Sequence, residues 1–273
     1  MTLTPKRKCT PVQILPVSTT SYTILSLNVN GLRSRIKVPD FLEELCKYDI
    51  VCLQETKTDE SDHEFLINTF GKVGFNLSLK SRKKLAAHRS GGIGIAFKRK
   101  LNEQVRIINN KCPNIQWLLI NDMDNVSSGE LFVGNVYLPP ESSKYFNKED
   151  FDDLIQDIIS NCRDRSVCIC GDFNAHTSSL EDYTILTNTS PDPNLDVDIS
   201  ESFYDHEYIA ISGFELKRSN TDKQSVNNFG RQLIELCKCL SLYIVNGRAG
   251  VDRYQCKPTT KLGTVIDYFI MSA

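Results

Sequence analysis

The sequence predicts an α/β (α+β) fold, a four-layer αββα sandwich of two mixed β-sheets flanked by helices. Two observations predict it. Strand–helix–strand units at the start of the chain give way to runs of strands in the middle, and the two halves look alike in plan. Two sheets packed face to face, with helices on both outer faces, would bury the apolar faces of all these elements. No linker divides the halves, so we expect one domain.

The predicted strands are short apolar runs, alternating or continuous, that turn residues or prolines interrupt. Tyr22–Leu27 alternates and is rich in residues that favour strands, whereas Ile50–Leu53 is a short buried run. Pro139 and Pro140 stop the series in the middle of the chain. The other predicted strands are Phe75–Leu79, Gly92–Phe97, Val105–Ile108, Gln116–Ile120, Leu131–Tyr137, Val167–Cys170, Leu242–Val245 and Thr264–Ile270.

Helices are predicted where apolar residues recur every three or four positions. Val38–Tyr48 carries such a stripe, and Phe151–Ile159 carries the clearest one. Asn227–Cys239 follows the same spacing, and Glu64–Phe70 is a shorter helix.

The composition excludes several classes of protein. The chain is 40% hydrophobic and 24% charged, which is ordinary for a soluble globular protein. A net charge of −2 gives no global positive field, so nucleic-acid contact would need a local basic face. The ten cysteines form no C-x-x-C pair, which argues against a zinc ribbon and for reduced thiols inside the cell. No apolar run is long enough for a membrane span, and residues 1–21 are predicted to be a flexible leader before a domain at 22–273.

Acidic, amide and tyrosine side chains follow strand-like runs at several points. Gly171–Asn174 is the most informative, since it places an acid and an amide two residues apart at the end of a buried strand. Carboxylates and amides gathered at strand ends suit a hard cation such as Mg²⁺. The expected chemistry is metal-assisted attack of water on a phosphodiester. The candidate residues are Asn28, Asn30, Glu55, Tyr137, Asp172, Asn174 and Asp267.

In this order the motifs resemble those of the endonuclease/exonuclease/phosphatase superfamily, which includes apurinic-site endonucleases and neutral sphingomyelinases. Asn228–Cys237 and Leu242–Arg248 resemble one branch, the endonuclease domain of LINE-type non-LTR retrotransposons. The resemblance runs from about residue 22 to 272 and implies the four-layer sandwich. It also implies Mg²⁺ or Mn²⁺ as cofactor, DNA as partner and a nuclear location. The reverse-transcriptase region of the same polyprotein would be a second partner.

The resemblance implies a role for each residue that is expected to lie near the metal. Glu55 is the main magnesium ligand, which fits a carboxylate at the end of a buried strand, where an unpaired charge is unfavourable. A surface acid that caps a helix is the alternative. Asn30 falls where apurinic-site endonucleases usually carry an Asp ligand, so its neutral amide is expected to bind the metal more weakly. Asn28 shares a strand face with Asn30 and corresponds to the Asn that contacts phosphate.

The remaining candidate residues would act on the water and the phosphoryl group. By resemblance, Asp172 orients or activates the attacking water, or protonates the leaving oxygen, and Asn174 stabilises charge on the phosphoryl group. Tyr137 donates its hydroxyl to a phosphate oxygen, with packing in the core as the alternative. Asp267 holds the family's catalytic His in its reactive orientation.

Two sets of residues are predicted to contact substrate. Lys83, Lys84 and Arg89 belong to a basic cluster, Lys80–Lys84 with His88 and Arg89, that would contact the phosphate backbone and add salt-dependent affinity without sequence readout. A solvated hairpin loop is the alternative for this cluster. Gln255 and Thr264 are the other predicted contacts, and Gln255 lies roughly where LINE endonucleases often have a Thr near the phosphate.

One departure from the family concerns its C-terminal motif. The family closes with Ser-Asp-His some tens of residues beyond the strand that holds Asp267, whereas this sequence stops at Ala273. Two similar triplets lie in the wrong places. Ser61–His63 belongs to a predicted capping box with Glu64, and Tyr204–His206 lies in an acidic stretch before that strand. We therefore expect a domain that is incomplete at its C-terminus, lacks its last strand and is nearly inactive by itself.

Three functions follow from these observations. The first is a divalent-metal DNA endonuclease of a LINE-type element, which leaves a 3′-hydroxyl that primes reverse transcription. The second is a phosphodiesterase or phosphatase of the same fold that acts on RNA ends, lipids or inositol phosphates. The third is a catalytically dead remnant. The segment from Asn228 to Arg248 favours the first, and the missing motif favours the third.

Overall fold

Two mixed β-sheets pack face to face at the centre of the fold, and helices cover their outer faces. This computed structural model describes residues 21–81, 90–121, 130–147, 149–162, 165–184, 209 and 213–272. The predicted four-layer sandwich is therefore confirmed. Tyr204–His206 and nearly all of the predicted leader lie outside the described residues.

The smaller sheet is built by the first part of the chain. Its strands are β1 (Ile24–Asn28), β2 (Ile50–Gln54), β3 (Phe75–Lys80) and β4 (Ile93–Lys98). They lie in the order β1-β2-β4-β3, with β1 and β2 parallel and the other pairs antiparallel. The parallel pair brings the carboxyl ends of β1 and β2 to the same edge of the sheet.

The larger sheet has the order β5-β6-β7-β8-β10-β9. Only β7 and β8 are parallel among its described pairs. The last strand along the chain thus lies inside the sheet, between β8 and β9. The strands are β5 (Val105–Ile108), β6 (Ile115–Asn121), β7 (Glu130–Tyr137), β8 (Ser166–Asp172), β9 (Leu242–Ile244) and β10 (Asp267–Ser272).

The helices form the two outer layers. Against the smaller sheet lie α1 (Leu32–Arg35), α2 (Phe41–Leu45) and α3 (Glu60–Lys72), and one apolar core fills this interface. Against the larger sheet lie α4 (Glu149–Cys162) and α5 (Asn228–Cys239), with the largest core beneath them. In the part of the chain that the structure describes, no helix combines the length and apolar character that crossing a membrane requires.

A buried polar contact joins the two sheets within their shared apolar core. The side chains of Gln54 on β2 and Asn135 on β7 are both fully buried. Gln54 Nε2 donates to Asn135 Oδ1 at 2.7 Å. Asn135 Nδ2 donates in turn to the backbone oxygens of Leu53, at 3.0 Å, and Gly94, at 2.9 Å. Since buried amides need partners, this network favours one relative placement of the two sheets.

Three local predictions were wrong in ways that have physical reasons. The helix predicted at Val38–Tyr48 forms only over α2. A residue before proline disfavours the helical region, and Val38 precedes Pro39. Asp40, with a φ of 64°, is the N-cap, so the helix begins at Phe41. The strand predicted at Thr264–Ile270 begins only at Asp267. The amides of Thr264 and Ile266 bond to hydroxyls of a preceding threonine turn rather than to a neighbouring strand.

The predicted capping box of α3 has different members. Helix α3 begins at Glu60, four residues before the predicted start. Its N-cap is Asp59, whose side chain accepts from the amide of Ser61, and the Asp62 carboxylate accepts from the Asp59 amide. An Asp caps a helix as well as a Ser does, so Asp59 and Asp62, which are three residues apart, form the capping box in place of Ser61 and Glu64.

We expect the Gln54–Asn135 contact to be needed for stability. Asn135→Ala removes one of the acceptors of Gln54 Nε2 and the donor to two backbone oxygens, and should lower the free energy of unfolding by roughly 1–3 kcal/mol. Asn76→Ala is the matched control, because the Asn76 amide bonds at the surface. Urea denaturation of both variants measures the difference. Equal stability of the two variants would contradict the assignment.

Candidate active site

Strand ends from both sheets meet at one edge of the sandwich. Strand β1 ends at Asn28, and the parallel strand β2 ends one residue before Glu55. In the other sheet β8 ends at Asp172, which lies opposite Tyr137 of β7 and opposite Asp267 of β10. The candidate residues from distant parts of the chain are therefore brought to one place.

The side chain of Asn28 connects these residues across the sheets. Its Nδ2 donates to Glu55 Oε1 at 3.2 Å and to Asp172 Oδ2 at 2.9 Å. Its Oδ1 accepts from the backbone amide of Asn30 at 3.1 Å. An amide is the only common side chain that can donate to two carboxylates and accept at the same time without carrying charge.

Glu55 faces a cation from its own loop. Lys57 Nζ lies 3.0 Å from Glu55 Oε2 and also donates to the side-chain oxygen of Asn30. The Glu55 side chain is 23% exposed, so solvent and ligands can reach it. The structure thus brings together the two residues predicted to hold the metal, with an ammonium between them.

Three of the candidate residues have left-handed backbone conformations. The φ angles of Asn30, Glu55 and Asn174 are 47°, 49° and 48°. Asn adopts this region fairly readily, whereas a Glu there is unfavourable and needs support from its surroundings. The Glu55 carbonyl receives that support from the amide of Gly31, at 2.8 Å. Such conformations cluster at functional sites, where they aim side chains that a regular strand could not aim.

Two buried carboxyl groups at the site have raised pKa values. Burial, together with the charge of Asp267, raises the pKa of Asp172 to about 8. Burial also raises the pKa of Asp267 to about 6, and a hydrogen bond from Thr259 partly opposes this effect. The charge of Glu55 acts in the same direction on both groups. The site therefore gathers carboxyl groups whose ionised forms are disfavoured by burial and are not balanced by Lys57 alone.

Asn174 and Tyr137 complete the set at the end of β8. The Asn174 amide donates to Asp172 Oδ1 at 3.1 Å, and its side-chain Nδ2 donates to the Leu138 carbonyl at 2.7 Å. Tyr137 is buried and pairs with Asp172 in the sheet register. With Asn174 and Tyr137 included, every residue predicted to be catalytic lies at the same edge of the sandwich.

The basic cluster is only partly described. Lys83, Lys84 and Arg89 lie outside the described residues. The first lysine of that cluster, Lys80, does not form part of an exposed basic face. Its ammonium donates to backbone carbonyl oxygens in the segment 110–115, and burial lowers its pKa.

The two other predicted substrate contacts have local partners. Gln255 is exposed, and its Nε2 donates to the Val251 carbonyl at 3.3 Å. Thr264 is buried, and its hydroxyl bonds that of Thr260 at 2.6 Å. Their assignment as substrate contacts stays a prediction.

Sequence reasoning missed two residues beside Asp267. Asn28, Asn246, Thr259 and Asp267 line a cleft of about 230 Å³. Asn246 Oδ1 accepts from the Phe269 amide at 2.8 Å, and its Nδ2 donates to the Asp267 carbonyl at 3.2 Å. Asn246 could have been found, because it follows a strand as the other candidates do. No sequence signal indicates Thr259, which reaches the site through a turn.

The donor set fits a magnesium ion of the kind that keeps part of its water shell. Mg²⁺ is commonly held by one or two carboxylates together with water and substrate phosphate. Glu55 and Asn30 offer oxygens of the required kind, and a divalent cation would stabilise the ionised forms of Asp172 and Asp267, which burial disfavours. Within the described residues no group of three or more His, Cys, Asp or Glu side chains is arranged to hold a metal. A closed cage of protein ligands is therefore not seen there.

Comparison with known proteins identifies the family. Residues 25–273 match the endonuclease/exonuclease/phosphatase family. The chain belongs to this family. Its members are phosphodiester hydrolases that act as nucleases or phosphatases, and the nucleases among them generally depend on divalent metal.

Solved structures of low sequence identity share the fold. The AP endonuclease LMAP from Leishmania major is 16% identical with a TM-score of 0.57, over 92% of this chain and 79% of that chain. The endonuclease domain of TRAS1, a telomere-specific non-LTR retrotransposon, is 14% identical with a TM-score of 0.51, over 91% and 83%. The 3′ phosphatase NExo from Neisseria is 15% identical with a TM-score of 0.53, over 92% and 87%.

Because its pKa is raised from 3.8 to about 8, Asp172 should make stability depend on pH. The folded state favours the protonated carboxyl, so the contribution of Asp172 to the free energy of unfolding in metal-free buffer is highest at acidic pH. It should fall as the pH rises from 3.8 to about 8. Asp172→Asn should reduce the fall between pH 5 and 8 by at least about 1.4 kcal/mol, the equivalent of one pKa unit.

Urea denaturation at both pH values, with a chelator present, measures this effect. Asp152→Asn is the control, because Asp152 is an exposed carboxylate on α4. An unchanged pH dependence in Asp172→Asn would show that the charge of Asp172 is already balanced in the folded protein.

Proposed function

We propose that this chain is a divalent-metal-dependent DNA endonuclease domain of the non-LTR retrotransposon type. The observation that carries the proposal is the contact of the Asn28 amide with both Glu55 and Asp172, with Asp267 opposite Asp172. Two acids from different sheets, linked by a neutral donor at an open edge, suit a phosphodiester that lies across that edge.

Each side chain has a task in this proposal. Glu55 and Asn30 hold the metal, which stabilises charge on the phosphoryl oxygens when bound. The amide of Asn28 exchanges one of its two carboxylate contacts for a phosphate oxygen when substrate binds, and Asn174 donates to another phosphate oxygen as charge develops there. Asp172, which is buried and has a raised pKa, exchanges a proton with the attacking water or the leaving oxygen.

The retrotransposon assignment rests on α5 and the strand that follows it. Asn228–Cys237 and Leu242–Arg248 resemble the LINE-type branch in sequence, and the likeness to TRAS1 adds support at the level of the fold. In this role the product is a nick with a 3′-hydroxyl that primes reverse transcription. The substrate is then DNA in the nucleus, and the reverse-transcriptase region of the same polyprotein is the natural partner.

Asp267 needs an imidazole partner in this proposal. Of the histidines among the described residues, His63 bonds Ser81 at 2.7 Å and His176 bonds Asp222 at 2.7 Å. Neither of them pairs with Asp267. We propose that hydrolysis of DNA by this chain is slow because no described histidine is placed at Asp267, and the lack of a general acid or base typically lowers rates roughly 10²–10⁴-fold.

Added imidazole should therefore raise the rate of plasmid nicking by residues 1–273 in Mg²⁺. The cleft of about 230 Å³ beside Asp267 is large enough for that molecule. Asp267→Asn should abolish the increase, because the carboxylate no longer orients the ring. An increase of equal size in Asp267→Asn would contradict a direct role for this residue.

Glu55→Gln should weaken Mn²⁺ binding by at least about tenfold, or 1.4 kcal/mol. It should also lower the nicking rate by about 10²-fold or more. Calorimetric titration and gel analysis of supercoiled plasmid measure the two effects. Glu64→Gln is the matched control, because Glu64 is an exposed glutamate on α3. Equal Mn²⁺ affinity in Glu55→Gln and the wild type would remove Glu55 from the metal site.

A substrate panel separates this function from the alternatives. Release of phosphate from 3′-phosphorylated ends, lipids or inositol phosphates without nicking would assign a phosphatase or phosphodiesterase of the same fold. No hydrolysis of any substrate, with or without imidazole, would assign a catalytically inactive protein.

A further inference from the structure

The loop that follows Asn174 is fastened to the start of α5 by one side chain. Asn227 is the N-cap of α5, and its Oδ1 accepts from the Gly230 amide at 2.8 Å. The same Oδ1 accepts from the His176 amide at 2.9 Å, and Nδ2 donates to the Asn174 carbonyl at 2.8 Å. A helix cap requires only the first of these bonds.

Helix and loop are in direct backbone contact at this point. The Asn227 amide donates to the His176 carbonyl at 3.3 Å. A Cβ atom on Gly230 would lie 2.0 Å from that same carbonyl oxygen, so only glycine permits the approach. His176 is also held through its ring, since Nδ1 lies 2.7 Å from the buried carboxylate of Asp222. The loop therefore has little freedom to move relative to α5.

The position of this loop determines the orientation of the Asp172 carboxylate. The Asn174 amide donates to Asp172 Oδ1, while Asn28 donates to Oδ2. Asn174 has a left-handed φ of 48°, a conformation that a freely moving loop would readily leave. Its carbonyl oxygen accepts from Asn227, so that bond restrains the backbone of the residue whose amide contacts Asp172.

We propose that Asn227 is a positioning residue for hydrolysis, which fixes the backbone of Asn174 and through it the Asp172 carboxylate. This inference rests on the proposed function. Asn227 itself does not touch the candidate metal ligands Glu55 and Asn30 in any described contact. Its effect on the reaction is expected through geometry alone, where a small displacement is enough to lower the rate about 10²-fold.

Asn227→Asp and Asn227→Ser separate positioning from folding. Both residues cap helices about as well as Asn does, so α5 should stay intact. Neither can donate to the Asn174 carbonyl as the amide does, because a carboxylate has no donor and the serine hydroxyl is too short. Asn228→Asp is the matched control, since Asn228 is the adjacent exposed amide and makes one weak contact within α5.

We expect both Asn227 variants to nick plasmid with a rate constant at saturating DNA that is about 10–100-fold lower, and with KM nearly unchanged. Asn228→Asp should behave as the wild type. Denaturation curves show whether the variants remain folded. Unchanged rate constants in both folded Asn227 variants would overturn the proposal.

A second measurement works without activity. Amide hydrogen exchange at Asn174 should become about tenfold faster in the Asn227 variants, while amides in the middle of α5 keep their protection. If the wild type hydrolyses no substrate, the proposed function fails and this measurement alone decides about Asn227. Unchanged exchange at Asn174 would then overturn the positioning role.

Discussion

The site depends on the amide of Asn28, because its two donor bonds join acids from opposite sheets. Glu55 follows β2 of the smaller sheet and Asp172 ends β8 of the larger one. These carboxylates lie together only while the sheets pack in one relative position. The buried contact of Gln54 with Asn135 favours that position within the same interface. The packing of the two sheets and the polar contacts between them therefore determine whether the site forms, because a shift of one sheet relative to the other would separate the two acids.

Much of the fold could be predicted because its signals are local. Alternation and helical spacing indicated every strand of the described residues, and their longer helices, to within a few residues, since burial of one face leaves that pattern in the sequence. The errors arose where one residue overrides a pattern. Pro39 delays the start of α2, and the hydroxyls of Thr259 and Thr260 delay the start of β10. The pattern of Ser61 with Glu64 was mistaken for a cap because Asp59 and Asp62 offer the same chemistry two residues earlier.

The candidate site could likewise be predicted only in part. The positions of Glu55, Asp172 and Asp267 could be predicted because each lies at the end of a strand and matches a family motif. The supporting contacts could not, because their partners are far apart in the chain: Gln54 bonds Asn135, and Asn227 bonds Asn174. Neither pair has a sequence signal beyond being an amide. Asn227 was assigned only to a helix, yet its side chain makes two bonds to the loop after β8 in addition to the cap.

The α5 segment resembles a family motif although it contributes no predicted catalytic residue, and its contacts give a physical reason for that. A helix whose task was only to cover the sheet would need apolar spacing, which many sequences satisfy. Helix α5 must also begin where its cap reaches Asn174 and where Gly230 lets the backbone of His176 approach. That requirement specifies residue types at fixed spacing, as a motif does. The strained loop and the buried acids lower stability, and the contacts of Asn227 and Gly230 at the start of α5 hold that loop in place.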